Sequence, residues 1–373
     1  MNILMTLANP FTHDHRVYNE AKSLVEAGHE VTVLAWDKTG RHPARETKED
    51  INVVRSYNTR LMDIMLYDIF RLHLWWQKGY HDALKFFEES PFDAVHCHDL
   101  SSLPIGVKLK KKLGLSLVYD AHEIWGYMVS KNVPWWRYYL WKEKRLLRHV
   151  NHMVVTNKAR KNFYWQWADC TITVIDNYKH IFTGEYIDPP NHGKKQLSIL
   201  YIGGFLETRF LLELIDVVKE LEDVVLNIGG QGRLYSAIEK KANQTKNVNF
   251  LGIVPPEKVI PMTIKNDVVF CMIAPYDKND ITASTNKQFE AMVCGRPIIC
   301  TKDIYSGELT KKENIGLAIP YTKNDLKQAI IKLRDSPKLR EELGRNALNA
   351  AIRKYNWEKQ EEKLIKVYEE IKR

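Results

Sequence analysis

The chain contains no Cys-x-x-Cys pair. Its five cysteines, Cys97, Cys170, Cys271, Cys294 and Cys300, are odd in number and scattered. That spacing suggests neither a disulfide framework nor a zinc site, so no metal is expected. No stretch approaches the ~20 consecutive apolar residues of a membrane-spanning helix. The opening MNILMTLANPF lacks a basic segment followed by a long apolar run, so a secretory leader is not expected. Together these point to a cytoplasmic protein that is soluble or peripheral. Neither a P-loop nor a G-x-G-x-x-G fingerprint is present. There is no internal repeat, no low-complexity tract and no recognised nucleic-acid module, so nucleic acid is not an expected partner.

What is present is a folded composition of two-domain length. The 373 residues exceed what one core of ordinary size accommodates. An apolar fraction of 45% fits a globular chain. A net charge of +9 favours anionic ligands or surfaces, or serves solubility alone.

Strand-like Ile3-Ala8, a helix from about His15 to Ala27 and a strand over Glu30-Trp36 make a βαβ opening. Further strand runs at 94–97, 116–121 and 153–156 alternate with helical segments, which predicts a parallel sheet covered on both faces. The pattern breaks at Asp188-Pro-Pro-Asn-His-Gly-Lys-Lys195 and restarts at Ile199 with a second series of strands and helices. The expected organisation is α/β throughout: residues 1–180, a linker over 181–196, a second domain over 197–352, and a charged amphipathic helix over 353–373 that needs a surface to dock on.

Open α/β sheets bind ligands beyond the carboxyl ends of their strands. Two loops there, Gly203-Gly204 and Gly229-Gly230-Gln231-Gly232, each follow a strand and precede a helix, so they suit either phosphate approach or a plain tight turn. Arg209, expected at the start of the next helix, can meet a diphosphate bidentately or be a solvated arginine. Thr285 followed by Gln288 is a capping-box pattern that starts a helix at Asn286. Lys287 and Glu290 then share a face, offering a cation to phosphate and a carboxylate to a ribose diol, or merely an ion pair in solvent. His122, in YDAHE, ends a strand of the first domain and can serve a sugar hydroxyl or be a structural histidine. Two aromatic and basic segments, 66–87 and 133–150, suit either an anionic membrane surface or ordinary helix packing.

Taken in order, HDHRVYNEAKSLVEAGHEVTVLAW, FDAVHCHD, DAHE, YIGGFLETR, GGQG, NVNFLGIV, STNKQFEAMVCGRPII and YNWEKQEEKLIKVYEEI resemble the GT-B glycosyltransferases, and within them retaining family 4. The resemblance covers nearly the whole chain. It implies two Rossmann-like domains facing a central cleft, the first binding the acceptor and the second the donor, with the last helix returning to the first domain. It implies that Glu290 binds the nucleotide ribose, that Arg209 and Lys287 meet the donor diphosphate, and that His122 stands by the donor sugar. By the same resemblance Gly203, Gly204, Gly230 and Val254 belong to the nucleotide's surroundings, with Thr282, Ser284, Thr285 and Asn286 beside the sugar.

Three positions depart from the family pattern. Thr282 stands where an earlier glutamate is expected, Phe205 where a basic residue follows the glycines, and a glycine-rich first loop is replaced by a segment containing His13, Asp14 and Arg16, expected to shape acceptor entry. The implied activity is a metal-independent, retaining hexosyl transfer from a UDP- or GDP-type nucleotide-diphosphate sugar to a glycan, lipid-linked or small-molecule hydroxyl. No cofactor is implied. An epimerase of the same fold and a non-catalytic nucleotide-binding scaffold are the alternatives.

Overall fold

The β-branched and apolar runs assemble into two sheets. A computed structural model describes residues 1–12, 14–65, 68–128 and 135–372. They divide into two units, Met1–Asp176 with Gln360–Arg373, and Asn177–Lys359.

The first unit contains β1 (Asn2–Leu7), β2 (Glu30–Asp37), β3 (Arg45–Lys48), β4 (Ile51–Tyr57), β5 (Ala94–His98), β6 (Ser116–Ala121), β7 (His152–Val155) and β8 (Thr171–Val174), ordered β3-β4-β2-β1-β5-β6-β7-β8. Every pairing is parallel except β3 with β4. The central strands are apolar on both faces because helices cover both, as β1 shows with Ile3, Leu4, Met5 and Leu7 all buried.

The second unit contains β9 (Leu197–Gly204), β10 (Val224–Gln231), β11 (Val248–Phe250), β12 (Val268–Cys271), β13 (Ile298–Thr301) and β14 (Gly316–Ile319), all parallel and ordered β11-β10-β9-β12-β13-β14. The α/β class expected from the alternation is the class observed. The edge hairpin strand β3 aside, the strand order reverses once in each sheet, between β1 and β5 and between β9 and β12, and at such a reversal the strand ends leave a crevice for ligands.

The hairpin β3–β4 has no counterpart in the sequence reading. Its two turn residues, Glu49 and Asp50, both have positive φ (50° and 64°), a conformation normally advertised by Asn-Gly or Asp-Gly. Segment 181–196 lies against the second unit, where the Arg296 guanidinium donates to the carbonyl of Ile187 and that of Arg340 to those of Asn191 and Lys194. The last helix, Trp357–Ile371, buries Trp357, Leu364, Val367 and Tyr368 at helical spacing. Its portion from Gln360 onward belongs to the first unit, where Gln360 Oε1 accepts from the Asp176 amide and Ile371 O from the Ser116 hydroxyl.

Candidate functional site

In the second unit Gly203, Gly204, Gly229 and Gly230 are the last rungs of strands rather than loops, which corrects their expected place, and only Gly232 lies in the turn beyond. Gly230 pairs with Gly203 and Gln231 with Gly204 in the β9–β10 register. The ladder is tight there: a Cβ on Gly230, at φ 148°, would sit 1.8 Å from the Gly203 carbonyl oxygen. A Cβ on Gly203 would sit 2.5 Å from Lys287 Nζ. Glycine at 203 therefore leaves room for an ammonium beside the strand end.

The helix Asn286–Val293 is capped by Thr285, whose Oγ1 accepts from the Gln288 amide. The reciprocal half of the capping box is absent: the Gln288 amide group turns inward to Ser306 O and Thr310 Oγ1. Lys287 and Glu290 do not pair with each other either. Lys287 Nζ lies over the Tyr201 ring, 4.9 Å from its centre. Glu290 meets Lys179 at 3.5 Å, and the same lysine donates to Asn286 Oδ1 at 3.3 Å.

Arg209 closes a 3-10 turn, Glu207–Arg209, and the helix begins only at Leu211, because Phe210 takes a left-handed φ of 58° between them. That corrects its expected place in the helix. Its guanidinium donates to Thr208 Oγ1 and stands 3.6 Å from Asp280. Two contacts bring the segments of Arg209, Lys287 and Glu290 to one strand end: Cys271, the last residue of β12, meets the helix cap Thr285 Oγ1 at 2.8 Å, and just beyond it the Ala274 amide donates to the carbonyl of Thr208, next to Arg209, at 2.9 Å. The three charged side chains singled out in the sequence thus converge at the carboxyl end of β12.

The remaining donor-side residues have local roles. Thr282 ends the short helix Lys278–Ile281, its hydroxyl donating to Lys278 O. Ser284 lies in the loop before the Asn286 helix cap. Val254 packs against the end of β10, where a Cβ on Gly229 would lie 2.6 Å from Val254 Cγ2. Phe205 is buried among Tyr201, Tyr235 and Phe250, so the core claims the position where a basic residue was expected. Lys179 and Asp280, the ion partners of Glu290 and Arg209, lie far from them in sequence and no motif announced them.

In the first unit His122 follows β6 and is buried. Its Nε2 stands 2.9 Å from Asp120 Oδ2 and 3.8 Å from Glu20 Oε1. Asp99 fixes the backbone there, Oδ1 accepting from the amides of His122 and Glu123. Burial and the Arg16 charge oppose protonation of His122, yet Asp120 and Glu20 outweigh them and raise it to about 9. Burial likewise works against ionising Asp120, but His122, His98 and Arg16 hold its carboxyl well below the usual range. Burial and the Asp120 charge push Glu20 up.

Arg16 is not on an entry loop: it lies in the helix His15–Glu26, bridging Asp14 and Asp99. Asp14 caps that helix by accepting from the Val17 amide. Arg16 is thereby corrected from loop to helix, whereas Asp14 ends the loop as the helix cap; His13 lies outside the described residues. Asp120 sits two positions before His122, on the same side of an extended chain, so alternation was the readable signal for it. Glu20 and Asp99 had none.

The aromatic segments divide. Trp75, Trp76 and Tyr139 are buried in the first core, whereas Trp141 is 52% exposed; outside both segments, Trp165 is 66% exposed. Residues 66, 67, 133 and 134 of those segments lie outside the described residues. Among the described residues no helix is long and apolar enough to cross a membrane.

Residues 15–177 match Glycosyltransferase Family 4, and residues 183–350 match Glycosyl transferases group 1. An uncharacterized glycosyltransferase of Methanocaldococcus jannaschii, MJ1178, is 26% identical over 316 residues, 79% of this chain and 80% of that protein. The solved sucrose-phosphate synthase of Thermosynechococcus elongatus superposes with a TM-score of 0.81 at 15% identity, over 100% of this chain and 99% of that one. HepE of Anabaena, solved in complex with UDP-glucose, gives 0.75 at 15% identity over 99% and 100%. Matched in this way across both units, the chain belongs to the GT-B glycosyltransferases of family 4.

Proposed function

We propose that this glycosyltransferase moves a sugar from a nucleotide-diphosphate sugar, of UDP or GDP type, to a hydroxyl of a glycan, a lipid-linked saccharide or a small molecule, with retention of anomeric configuration. The observation that carries the proposal is the convergence of Arg209, Lys287 and Glu290 at the carboxyl end of β12, with Lys287 Nζ over the Gly203 position. Two cations there suit a diphosphate, and a carboxylate one turn into the helix suits a ribose diol. The structural likeness to HepE, solved with UDP-glucose, is consistent with such a donor.

In the proposed reaction the bond between the anomeric carbon and the phosphate oxygen breaks, its electron pair passing to the phosphate. The acceptor oxygen bonds to the anomeric carbon on the same face, and its proton passes to the departing phosphate. Arg209 and Lys287 stabilise the growing negative charge as side-chain cations, without a metal ion at the diphosphate. His122 is the proposed hydrogen-bonding partner of the transferred sugar. Thr282, having no carboxylate, leaves donor-sugar recognition to backbone and hydroxyl groups. An anionic membrane surface is a further proposed partner: Arg145 stacks 4.9 Å over Trp141 and Lys161 lies 5.8 Å over Trp165, joining cations to exposed indoles.

The test is nucleotide release from a panel of UDP- and GDP-sugars by the wild type, Arg209→Ala and Glu290→Ala. Removing a charge stabiliser of this kind costs on the order of 100-fold or more in turnover. Unchanged rates in both variants would overturn the assignment.

A further inference from the structure

Four buried side chains of the first unit converge and leave part of their hydrogen-bonding capacity unused. Glu20 from the helix His15–Glu26, His96 and His98 from β5, and Asp120 from β6 each offer one ligand atom, and these atoms lie within 4.8 Å of one another. The same four each carry one buried polar atom without a hydrogen-bond partner among the described residues: Glu20 Oε2, His96 Nε2, His98 Nε2 and Asp120 Oδ1. Orphaned buried polar atoms are rare in folded proteins, and an unseen ion or water is among their explanations.

His96 Nδ1 is 2.9 Å from the Tyr368 hydroxyl, the kind of second-nitrogen contact that orients a metal-binding imidazole and leaves Nε2 for the metal. His98 Nδ1 lies 3.1 Å from Asp120 Oδ2, a separation that suits two ligands of one ion.

Charge points the same way. Asp14, Glu20, Asp99 and Asp120 surround Arg16 and His122. Glu20 and Asp120 are both buried, and a divalent cation between them would offset the cost of holding two carboxylates out of water.

We propose that Glu20, His96, His98 and Asp120 bind one divalent cation of the zinc class. Two imidazoles and two carboxylates suit Zn²⁺ better than Mg²⁺ or Ca²⁺, which favour oxygen shells. Tetrahedral zinc bonds of ~2.0–2.2 Å set ligands about 3.3–3.6 Å apart, so a separation of 4.8 Å must close by about 1.2–1.5 Å. All four side chains are inaccessible, so the site is closed and structural: it ties the first helix to β5 and β6 and, through Tyr368, to the last helix. The absence of cysteine pairs excluded only thiolate zinc sites; this one draws on three separated segments.

The experiment measures metal content of the full-length protein by mass spectrometry, as purified and after incubation with ZnCl₂ and desalting, together with thermal unfolding with and without chelator. The expected result is about one zinc per chain, a lower unfolding midpoint on chelation, recovery with Zn²⁺ and not with Mg²⁺, and loss of the metal in His98→Ala and Glu20→Gln. If those variants fail to fold, Co²⁺ exchanged into the wild type should give the visible absorption of a tetrahedral nitrogen-oxygen site. Less than about a tenth of an equivalent of bound metal after incubation, with a midpoint indifferent to chelator, overturns the proposal. So does a full equivalent of zinc retained by both His98→Ala and Glu20→Gln, which would place the metal elsewhere.

Discussion

Glu143 lies on the helix Trp135–Leu147 and is fully buried in the first unit. Both Tyr119 and Tyr164 donate their hydroxyls to its Oε1, while Oε2 has no hydrogen-bond partner among the described residues. Burial raises its carboxyl to about 7, against the two tyrosine hydrogen bonds, which favour the charged form. The folded state therefore holds a proton that the unfolded chain, titrating near 4.5, releases earlier. The sign follows: the contribution to stability is complete below pH 4.5 and is lost as pH rises towards 7. At ~1.4 kcal/mol per pH unit the loss between pH 5 and pH 8 comes to about 2–3 kcal/mol.

Glu143→Gln removes the titration while keeping an oxygen for both tyrosines. Relative to wild type, the variant should gain that same 2–3 kcal/mol between pH 5 and pH 8, on the order of 5–10 °C in the unfolding midpoint of its unit. The assay is thermal or urea unfolding of both proteins across that range, followed by a probe of the first unit. Its intercept is free to differ, because the new amide must find partners of its own, but its slope against pH is fixed by the argument. Parallel curves for the two proteins would refute it.

Three further outcomes are expected. Gly230→Ala should destabilise the second unit by about 3 kcal/mol or more, since its Cβ would meet the Gly203 carbonyl at a left-handed φ; a thermal shift within error of wild type would contradict the register described. Leu364→Ala, emptying a fully buried site on the last helix, should cost the first unit about 2–5 kcal/mol in urea unfolding. Sedimentation with anionic vesicles should be appreciable at low salt, weaken on screening, and fall in Trp141→Ala combined with Arg145→Ala; retention unaffected by salt and by both substitutions would remove the membrane proposal.

Much of the candidate site was legible in the sequence, for a local reason. Thr285, Lys287 and Glu290 lie within one helical turn or two, so capping chemistry and a 3.6-residue period place them once the helix is recognised. The same locality misled where backbone conformation intervened. Phe210 at φ 58° detaches Arg209 from its helix, and Gly203 and Gly230, which look like loop residues, continue the ladder as paired strand ends. The β3–β4 hairpin escaped because Glu49 and Asp50 adopt a turn that their residue types do not signal.

Hydrophobic period and capping act over a few residues, and they suffice for the layered class, the two series of alternating strands and helices, and the short motifs at strand ends. The partnerships of charge needed the folded chain: Lys179 with Glu290, Asp280 with Arg209, and the meeting of Glu20, His96, His98 and Asp120. Those pairs depend on which strands become neighbours in a sheet, and burial then makes each unpaired charge costly enough to demand a partner from wherever the fold supplies one.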